Sequence, residues 1–223
     1  MTVIANRIGC LQHLRVHRVL CLGFALASVS FPTGCDPGNA DVQGKVVAER
    51  GDDVSSARSG LLNLNDERVD PFEQTDAKAT VFLFTRIDCP ISNRYAPQVR
   101  RLYAEFASRG VDFWLVYAEP DESAEVIRKH LDEYDYPCSA LRDPEHWLVR
   151  KTEAHVTPEA AVFVPGGEMV YCGRIDNWYV DFGKARAQAT KHDLHESLEA
   201  TLSGRPVPTA RTLAVGCYIS ELK

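Results

Sequence analysis

An apolar strand, a cysteine and an amphipathic helix follow one another near residue 89, and this order restricts the fold more than any other feature. Residues 78–85 contain an uninterrupted run of large apolar residues, which predicts a buried strand. Apolar residues then recur every three or four positions over 90–108, which predicts a helix beginning at Pro90, a residue favoured at the first helical position. Cys89 therefore lies at a helix N-terminus, which stabilises a thiolate relative to a thiol.

The segments after this helix continue the alternation of strands and helices. They are a nearly all-apolar strand at 111–117, helices at 122–133 and 144–151, a β-hairpin at 160–172 and a closing helix at 192–203. Asp143 is placed to cap the helix at 144–151. A β-α-β order implies parallel strands joined by a right-handed crossover. The pattern predicts an α/β fold with a central mixed β-sheet flanked by helices.

The first 35 residues have the pattern of a secretory signal peptide. They contain no acidic residue, and arginines precede an apolar stretch at 19–31 that is shorter than the roughly 20 residues of a membrane span. Residues 25–27 fit an ordinary signal peptidase, whereas residues 33–35 resemble a lipoprotein signal, and both sites remain open. We therefore expect an exported protein that is periplasmic or is a lipoprotein tethered to the membrane through Cys35.

The rest of the chain predicts one domain with an extension on each side. Residues 36–58 are polar and predict a flexible lead-in. The domain itself is expected at 59–205. Residues 206–223 form a tail, and its apolar character indicates that it packs on the domain.

Charge and cysteine content narrow the chemistry. A net charge of -6 argues against a nucleic-acid partner, because such proteins normally carry a basic patch. The cysteines outside the predicted signal are spaced too widely for a zinc knuckle. They are Cys89, Cys138, Cys172 and Cys217. Disulfides are permitted in an exported protein, and the sequence leaves their pairing open.

Two prolines stand at informative positions relative to Cys89. Pro97 lies eight residues after Cys89, and Thr157-Pro158 precedes the predicted hairpin. With this order of elements, residues 60–204 resemble the thioredoxin-like redoxin superfamily, which includes thioredoxins, AhpC/TSA proteins and exported TlpA/ResA-like proteins. The resemblance implies a thioredoxin-like fold in which the peptide bond of Thr157-Pro158 is cis and Pro158 lies against the thiol of Cys89.

Departures from the superfamily pattern limit the mechanism. Ser92 replaces the second cysteine of the usual C-x-x-C motif, so the C-x-x-S motif cannot close a local disulfide. Peroxiredoxins have a threonine three residues before the cysteine, but here Arg86 has that position and Thr85 lies one residue earlier. Peroxidase activity is therefore not indicated. Arg86 favours a thiolate and Asp88 opposes it, and the sequence does not decide which of them faces the sulfur.

The leading interpretation is an exported thiol-disulfide oxidoreductase or peroxiredoxin-like redoxin with Cys89 as the nucleophile. Cys217 or an external thiol would resolve the mixed disulfide that Cys89 forms. Ser92 is placed to donate to the thiolate, and the resemblance implies that Thr157 and Pro158 lie beside the sulfur. Protein or small-molecule thiols and disulfides are the expected partners, and no cofactor is expected.

Other interpretations remain open. Cys89, Cys217 and His155 form a ligand set suited to Cu(I), which resembles the copper-carrying Sco proteins of the same fold. Asn93 stands where those proteins have their second cysteine, so Cys217 would have to replace it. A redox-inert thioredoxin-fold protein that only binds partners is the other interpretation, and the missing second cysteine favours it.

Overall fold

The computed structural model describes residues 60–73 and 76–222. The predicted signal peptide, the lead-in at 36–58 and the tether at Cys35 lie outside these residues. Within the two described ranges, no helix is both long enough and apolar enough to cross a bilayer.

A five-stranded mixed sheet forms the centre of the domain. The strands, in chain order, are β1 (Ala79–Thr85), β2 (Val111–Tyr117), β3 (Ser139–Arg142), β4 (Val156–Thr157), β5 (Glu159–Phe163), β6 (Met169–Gly173), β7 (Tyr179–Asp181), β8 (Lys184–Ala185) and β9 (Cys217–Tyr218). The central sheet has the order β3-β2-β1-β5-β6, and separate two-stranded ladders join β4 to β9 and β7 to β8. β1, β2 and β3 are parallel, whereas β5 is antiparallel to β1 and to β6.

Helices cover both faces of this sheet. They are α1 (Pro90–Phe106), α2 (Ala124–Glu133), α3 (Trp147–Thr152) and α4 (Asp193–Leu202). α1, α2 and α4 contribute side chains to one hydrophobic cluster and α3 to a second one. This arrangement confirms the predicted central mixed sheet flanked by helices.

The apolar sequence of β1 follows from its position in the middle of the sheet. Val81 and Leu83 belong to the cluster that contains α1, whereas Phe82 and Phe84 belong to the cluster that contains α3. All seven residues of the strand are buried. Burial on both faces explains why polar and apolar residues do not alternate along β1.

Helix α2 begins two residues later than the sequence predicted. Ser123 is its N-cap, and the Ser123 side chain accepts the N–H of Val126 at 3.4 Å. Glu122 is therefore outside the helix, and only 7% of it is exposed. Its carboxyl group contacts the loop before α1 instead, at the N–H of Ile87.

Helix α3 begins at Trp147, three residues later than predicted. His146 has a left-handed backbone with a φ of 53°, which interrupts the helical run. Asp143 still caps α3, because its carboxylate accepts the N–H groups of Trp147, Leu148 and Val149 at 2.6–2.9 Å. Strand β3 was not predicted, since its four residues are too few to show a period.

The tail crosses from β6 to β4. The N–H of Cys172 donates to the carbonyl of Ala210 at 2.9 Å, and the N–H of Thr212 donates to the carbonyl of Cys172 at 3.1 Å. β9 then pairs with β4, and the N–H of Ile219 donates to the carbonyl of His155 at 2.9 Å. Residues 210–219 are called the strap below.

Candidate thiol site

Cys89 stands between the end of β1 and the start of α1. It is the N-cap residue of α1, and its Sγ accepts the N–H of Ser92 at 3.4 Å. Cys89 is 0% exposed. A sulfur that accepts a backbone N–H at a helix N-terminus is stabilised as a thiolate.

The Thr157-Pro158 segment lies beside this cysteine. Its peptide bond is cis, as the resemblance implied. The Cys89 thiol donates to the backbone oxygen of Thr157 at 3.0 Å. Thr157 ends β4, and β5, which begins directly after Pro158, pairs with β1. The sheet therefore brings together two residues that are 68 positions apart in the chain.

The strap places a second thiol next to Cys89. Cys217 pairs with Thr157 in the antiparallel ladder of β4 and β9, and the Cys217 and Cys89 thiols each shift the pKa of the other. Both cysteines are free thiols. The close approach depends on Gly216, since a Cβ at that position would lie 2.0 Å from the Thr157 oxygen. The strap thus covers Cys89 and places the Cys217 thiol beside it.

The two thiols differ in acidity. Burial raises the pKa of Cys89, but hydrogen bonds from Cys217, Ser92 and Thr157 outweigh burial and lower the pKa to about 7. Burial and the hydrogen bond with Cys89 raise the pKa of Cys217 to about 12. Near neutral pH, the negative charge of the pair therefore resides on Cys89.

Hydroxyl groups on both sides of the sulfur explain its acidity. Ser92 Oγ and Thr157 Oγ1 are buried and have no hydrogen-bond partner among the described residues while the Cys89 thiol donates to the Thr157 carbonyl. Both side chains lower the pKa of Cys89. A buried polar group without a partner costs about 1–3 kcal/mol, and a thiolate offers both hydroxyls an acceptor. The contact of Cys89 with the Thr157 carbonyl belongs to the protonated form.

The loop that leads into α1 is held through both backbone groups of Ile87. Its N–H donates to Glu122 Oε1 at 3.0 Å, and its carbonyl accepts from Asn93 Nδ2 at 3.0 Å. His130 Nε2 lies 2.9 Å from Asn93 Oδ1, and His130 Nδ1 lies 2.8 Å from the Tyr117 hydroxyl. Because Asn93 Oδ1 only accepts, Nε2 carries the proton and Nδ1 accepts from Tyr117. These four side chains, of Glu122, Asn93, His130 and Tyr117, are called the loop clamp.

Sequence reasoning missed the loop clamp as a functional unit. Glu122 is 35 residues from Ile87, and His130 is 37 residues from Asn93. Asn93 was interpreted only as the position where a second cysteine is missing. One signal was available: His130 follows Ile127 by three residues and so lies on the buried side of α2.

Charged groups around the loop connect it to the strap. Burial raises the pKa of Glu122 to about 7, and Glu122 Oε2 has no partner among the described residues. Arg86 pairs with Asp88 at 2.6 Å and with Glu119 at 3.5 Å. Glu119 also accepts the N–H of Ser220 at 3.2 Å. Arg86 and Asp88 thus pair with each other, and Glu119 connects Arg86 to Ser220, the residue directly after the strap.

The other cysteines of the domain are core residues. Cys138 and Cys172 are buried. Burial raises the pKa of both thiols to about 12, so neither is ionised near neutral pH. Cys172 lies in β6 and belongs to the hydrophobic cluster that contains α3.

The copper site considered from sequence is not assembled. His155 is exposed, whereas Cys89 is buried, and these two residues form no group of close ligand atoms with Cys217. Within the part of the chain that the structure describes, one group of three potential ligands has its ligand atoms within 4.8 Å of one another. That group is Glu105, His195 and Glu199. The copper-carrier alternative is therefore not favoured.

Comparisons with known proteins agree with this fold. The model of the AhpC/TSA family matches residues 58–171. This range contains Cys89 and Thr157-Pro158 but not Cys217. No curated protein matches the chain significantly.

Two solved structures share this architecture, and a third is a more distant match. An uncharacterized conserved protein from Geobacillus kaustophilus is 26% identical, with a TM-score of 0.64 over 74% of this chain and 88% of that chain. A hypothetical protein from Sinorhizobium meliloti 1021 is 22% identical, with a TM-score of 0.62 over 71% of this chain and 88% of that chain. A thioredoxin-like protein from Aeropyrum pernix is 16% identical, with a TM-score of 0.44 over 50% of this chain and 78% of that chain.

Proposed function

The chain belongs to the AhpC/TSA family of thioredoxin-like proteins, and on that premise we propose that it is a thiol-disulfide oxidoreductase whose redox-active pair is Cys89 and Cys217. Thioredoxin-like redoxins act on thiol and disulfide substrates. One observation carries the proposal: a thiol with a pKa of about 7 lies beside a second free thiol on the strap. Two adjacent thiols of unequal acidity suit disulfide exchange.

Cys89 is the nucleophile of the oxidative half-reaction. Its thiolate attacks one sulfur of a substrate disulfide and releases the other sulfur as a thiolate, so that a mixed disulfide forms at Cys89. Cys217 then loses its proton and attacks Cys89 Sγ, which releases the second substrate thiolate. The substrate disulfide has gained two electrons, and the protein has lost them in forming the Cys89–Cys217 disulfide.

Cys217 receives the reductant in the return half-reaction. Cys217 is half-buried, whereas Cys89 is not exposed, so an external thiolate reaches Cys217 more readily. Cys89 leaves as a thiolate, and its low pKa makes it the better leaving group. A second external thiolate attacks the sulfur of the bound reductant and releases Cys217, which takes up a proton.

The neighbours of Cys89 act on the thiolate rather than on the substrate. The hydroxyls of Ser92 and Thr157 donate to it, and Pro158 directly follows the Thr157 backbone that lies beside it. The loop clamp fixes Ile87, two residues before the sulfur. A fixed loop keeps Sγ near both hydroxyls, which is what lowers the pKa.

The proposal includes export of the protein from the cytosol. Its support is the signal-like pattern of residues 1–35 in the sequence. Disulfides persist outside the reducing cytosol, so a Cys89–Cys217 disulfide would have a functional lifetime there.

Disulfide mapping after oxidation tests the proposal. The reduced protein is treated with oxidised glutathione and then analysed by peptide mass spectrometry. We expect a Cys89–Cys217 disulfide in the parent protein and a glutathione mixed disulfide at Cys89 in Cys217→Ser. A Cys138→Ser variant is the control, because removing a core thiol leaves the redox pair intact.

Two outcomes would contradict the assignment of the pair. One is a disulfide in the parent protein that involves Cys138 or Cys172. The other is a Cys89→Ser variant that consumes oxidised glutathione as fast as the parent. Hydrogen peroxide serves as a comparison oxidant, and faster oxidation by peroxide than by the disulfide would assign the chain to peroxide reduction instead.

A further inference from the structure

A cleft lies beside α1, and none of the described cysteines lines it. Its volume is about 570 Å³, within the range of sites that hold small organic molecules. One wall is the outward face of α1, and the other is the segment 176–192 that contains the β7–β8 ladder. The lining includes Arg94, Tyr95, Gln98, Arg101, Asp176, Trp178 and His192.

Cationic side chains give this cleft a charge opposite to that of the whole chain. Arg94 and Arg101 are seven residues apart on α1, so both lie on one helix face. Arg94 donates to the Tyr179 hydroxyl at 3.2 Å and Arg101 donates to Gln98 Oε1 at 3.0 Å. Neither guanidinium forms an ion pair with any carboxylate in the described ranges. Two unpaired guanidinium groups in a chain of net charge -6 favour an anionic ligand.

The one acidic residue of the lining is already engaged. Asp176 is buried, and its Oδ1 accepts the Tyr95 hydroxyl at 2.7 Å and the N–H of Trp178 at 2.9 Å. These bonds hold both aromatic residues in place. The Tyr95 and Trp178 rings meet edge to face with their centres 5.5 Å apart. The carboxylate therefore organises the aromatic side of the cleft and does not pair with the arginines.

The segment opposite α1 is held by its own hydrogen bonds. Asn177 Oδ1 accepts the N–H groups of Thr190 and Lys191 at 2.8 and 3.0 Å. The indole N–H of Trp178 donates to the carbonyl of Arg186 at 2.9 Å, and Arg186 Nε donates to the carbonyl of Asn177 at 3.0 Å. The wall is thus formed before any ligand arrives, which reduces the entropy lost on binding.

We propose that this cleft binds a small organic anion that combines a planar ring with a carboxylate or phosphate group. The anionic group pairs with Arg94 and Arg101, whose guanidinium forks match planar oxyanions. The ring packs against Trp178. His192 at the rim adds a donor to the anionic group. The proposal is independent of the thiol chemistry, because neither Cys89 nor Cys217 lines the cleft.

Titration with phenyl phosphate tests this site. The probe carries a ring and a phosphate group, and phenol and inorganic phosphate supply each part alone. The readout is the indole N–H signal of Trp178 in a ¹⁵N correlation spectrum, assigned with a Trp178→Phe variant. We expect saturable shifts with phenyl phosphate, and at least roughly tenfold weaker binding in an Arg94→Gln, Arg101→Gln double variant, since the loss of even one charged hydrogen bond weakens binding by about that factor.

Matched variants separate a specific site from general charge attraction. Lys129→Gln removes one positive charge from α2, which does not line the cleft, and should bind phenyl phosphate as the parent does. A single Arg101→Glu variant reverses charge at an exposed position and should also weaken binding. Cys89→Ser should bind normally, so failure of the thiol proposal would not affect this result.

Two results would overturn the proposal. The first is a Trp178 signal that does not move with phenyl phosphate. The second is equal affinity in the parent and in both arginine variants, which would show that the anion is not held by this cleft. If inorganic phosphate bound as tightly as phenyl phosphate, the ring would contribute nothing to binding, and that part of the proposal would be wrong.

Discussion

At the scale of single residues, the acidity of Cys89 is set by opposing influences. Burial disfavours its thiolate, and hydrogen bonds from Cys217, Ser92 and Thr157 favour it. The other described thiols have pKa values raised to about 12. We therefore predict that Cys89 alone among the described thiols ionises between about pH 5 and 9, with a midpoint near the pKa of about 7. Ultraviolet absorbance of the thiolate measures this titration in the reduced protein.

Two variants test the origin of that low pKa. Cys89→Ser should abolish the titration step, and Ser92→Ala should move its midpoint to higher pH, because one donor to the thiolate is lost. Thr209→Ala, which removes an exposed hydroxyl far along the tail, is the matched control. A midpoint above about 8.5, the value for a free cysteine, would contradict the assignment of Cys89 as nucleophile.

Glu122 makes the stability of the fold depend on pH. Its pKa is about 7 in the folded protein against 4.5 for the unperturbed group, so the folded state holds the proton more tightly. Its contribution to stability is complete below about pH 4.5 and is lost as the pH rises through 7. We predict that the free energy of unfolding of Glu122→Gln, taken relative to that of the parent, rises by up to roughly 3 kcal/mol as the pH increases from 4.5 to 7. Urea unfolding at both pH values measures the gain.

The side-chain amide introduced by Glu122→Gln would keep an acceptor for the Ile87 N–H, so the substitution removes the charge and little else. Glu125→Gln, at an exposed position in the first turn of α2, is the control. The prediction for Glu122 is wrong if the stability difference between the variant and the parent is the same at both pH values.

Some residues of the site could be predicted from the sequence, and others could not. Cys89 and Ser92 share one short motif, and Thr157-Pro158 stands at a set place in the order of elements. Glu122 and His130 belong to the loop clamp only because folding brings α2 and its preceding loop against α1. No periodic pattern reports such contacts, since they depend on the relative position of two elements.

At the scale of elements, the strap lies over the thiol through a short ladder with β4. Its ladder with β4 has only two residue pairs, and its Tyr218 and Leu213 are 80% and 89% exposed. A Cβ at Gly216 would overlap the Thr157 oxygen. We predict that Gly216→Val displaces β9 and makes alkylation of Cys89 by iodoacetamide at least about tenfold faster. A decrease of roughly 1.4 kcal/mol in the free energy of local opening gives a factor of ten in rate. Peptide mass spectrometry measures the rate at Cys89.

A second variant in the same segment separates displacement of the strap from general loosening. Leu213→Ala changes an exposed side chain of the strap and should leave the alkylation rate of Cys89 unchanged. Equal rates in Gly216→Val and the parent would show that the strap does not limit access to Cys89.

The starts of the helices show where local rules reach their limit. Pro90 marks the start of α1 as the sequence predicted. Asp143 caps α3, but the helix begins four residues later, because residues 144–146 form a turn with a left-handed residue at His146. A capping residue therefore predicts that a helix is near, while the intervening backbone decides where it begins.

At the scale of the whole molecule, the proposed disulfide joins the first strand–helix unit to the tail. A bond between Cys89 and Cys217 closes a long loop that contains most of the domain. We predict that oxidation raises the free energy of unfolding by roughly 2–5 kcal/mol, because the bond restricts the unfolded chain. The melting temperature should rise by about 2–4 °C per kcal/mol for a protein of this size. Calorimetry of the reduced and oxidised forms measures the difference.

The matching variant for this comparison is Cys217→Ser. It cannot form the bond, so its melting temperature should be the same with and without oxidant. An oxidised parent that melts at or below the reduced parent would show that the bond strains the native structure by more than it restricts the unfolded chain.

Global charge is a poor guide to local recognition in this molecule. The net charge of -6 argues against nucleic-acid binding, yet α1 brings Arg94 and Arg101, which pair with no carboxylate of the described residues, to the cleft that it forms with the segment 176–192. A sum over the chain contains no information about which charges share a surface.

The sequence by itself determined the class of fold, the thioredoxin-like order of strands and helices, and the position of Cys89 at a helix start. These depend on periodicity, turn residues and short motifs, which are properties of neighbouring residues. Only the tertiary structure decided that Cys217 rather than His155 reaches Cys89, that Glu122 and His130 hold its loop, and that Arg94 and Arg101 face a cleft. Those contacts join residues far apart in the chain, and their distances are set by how the elements pack together.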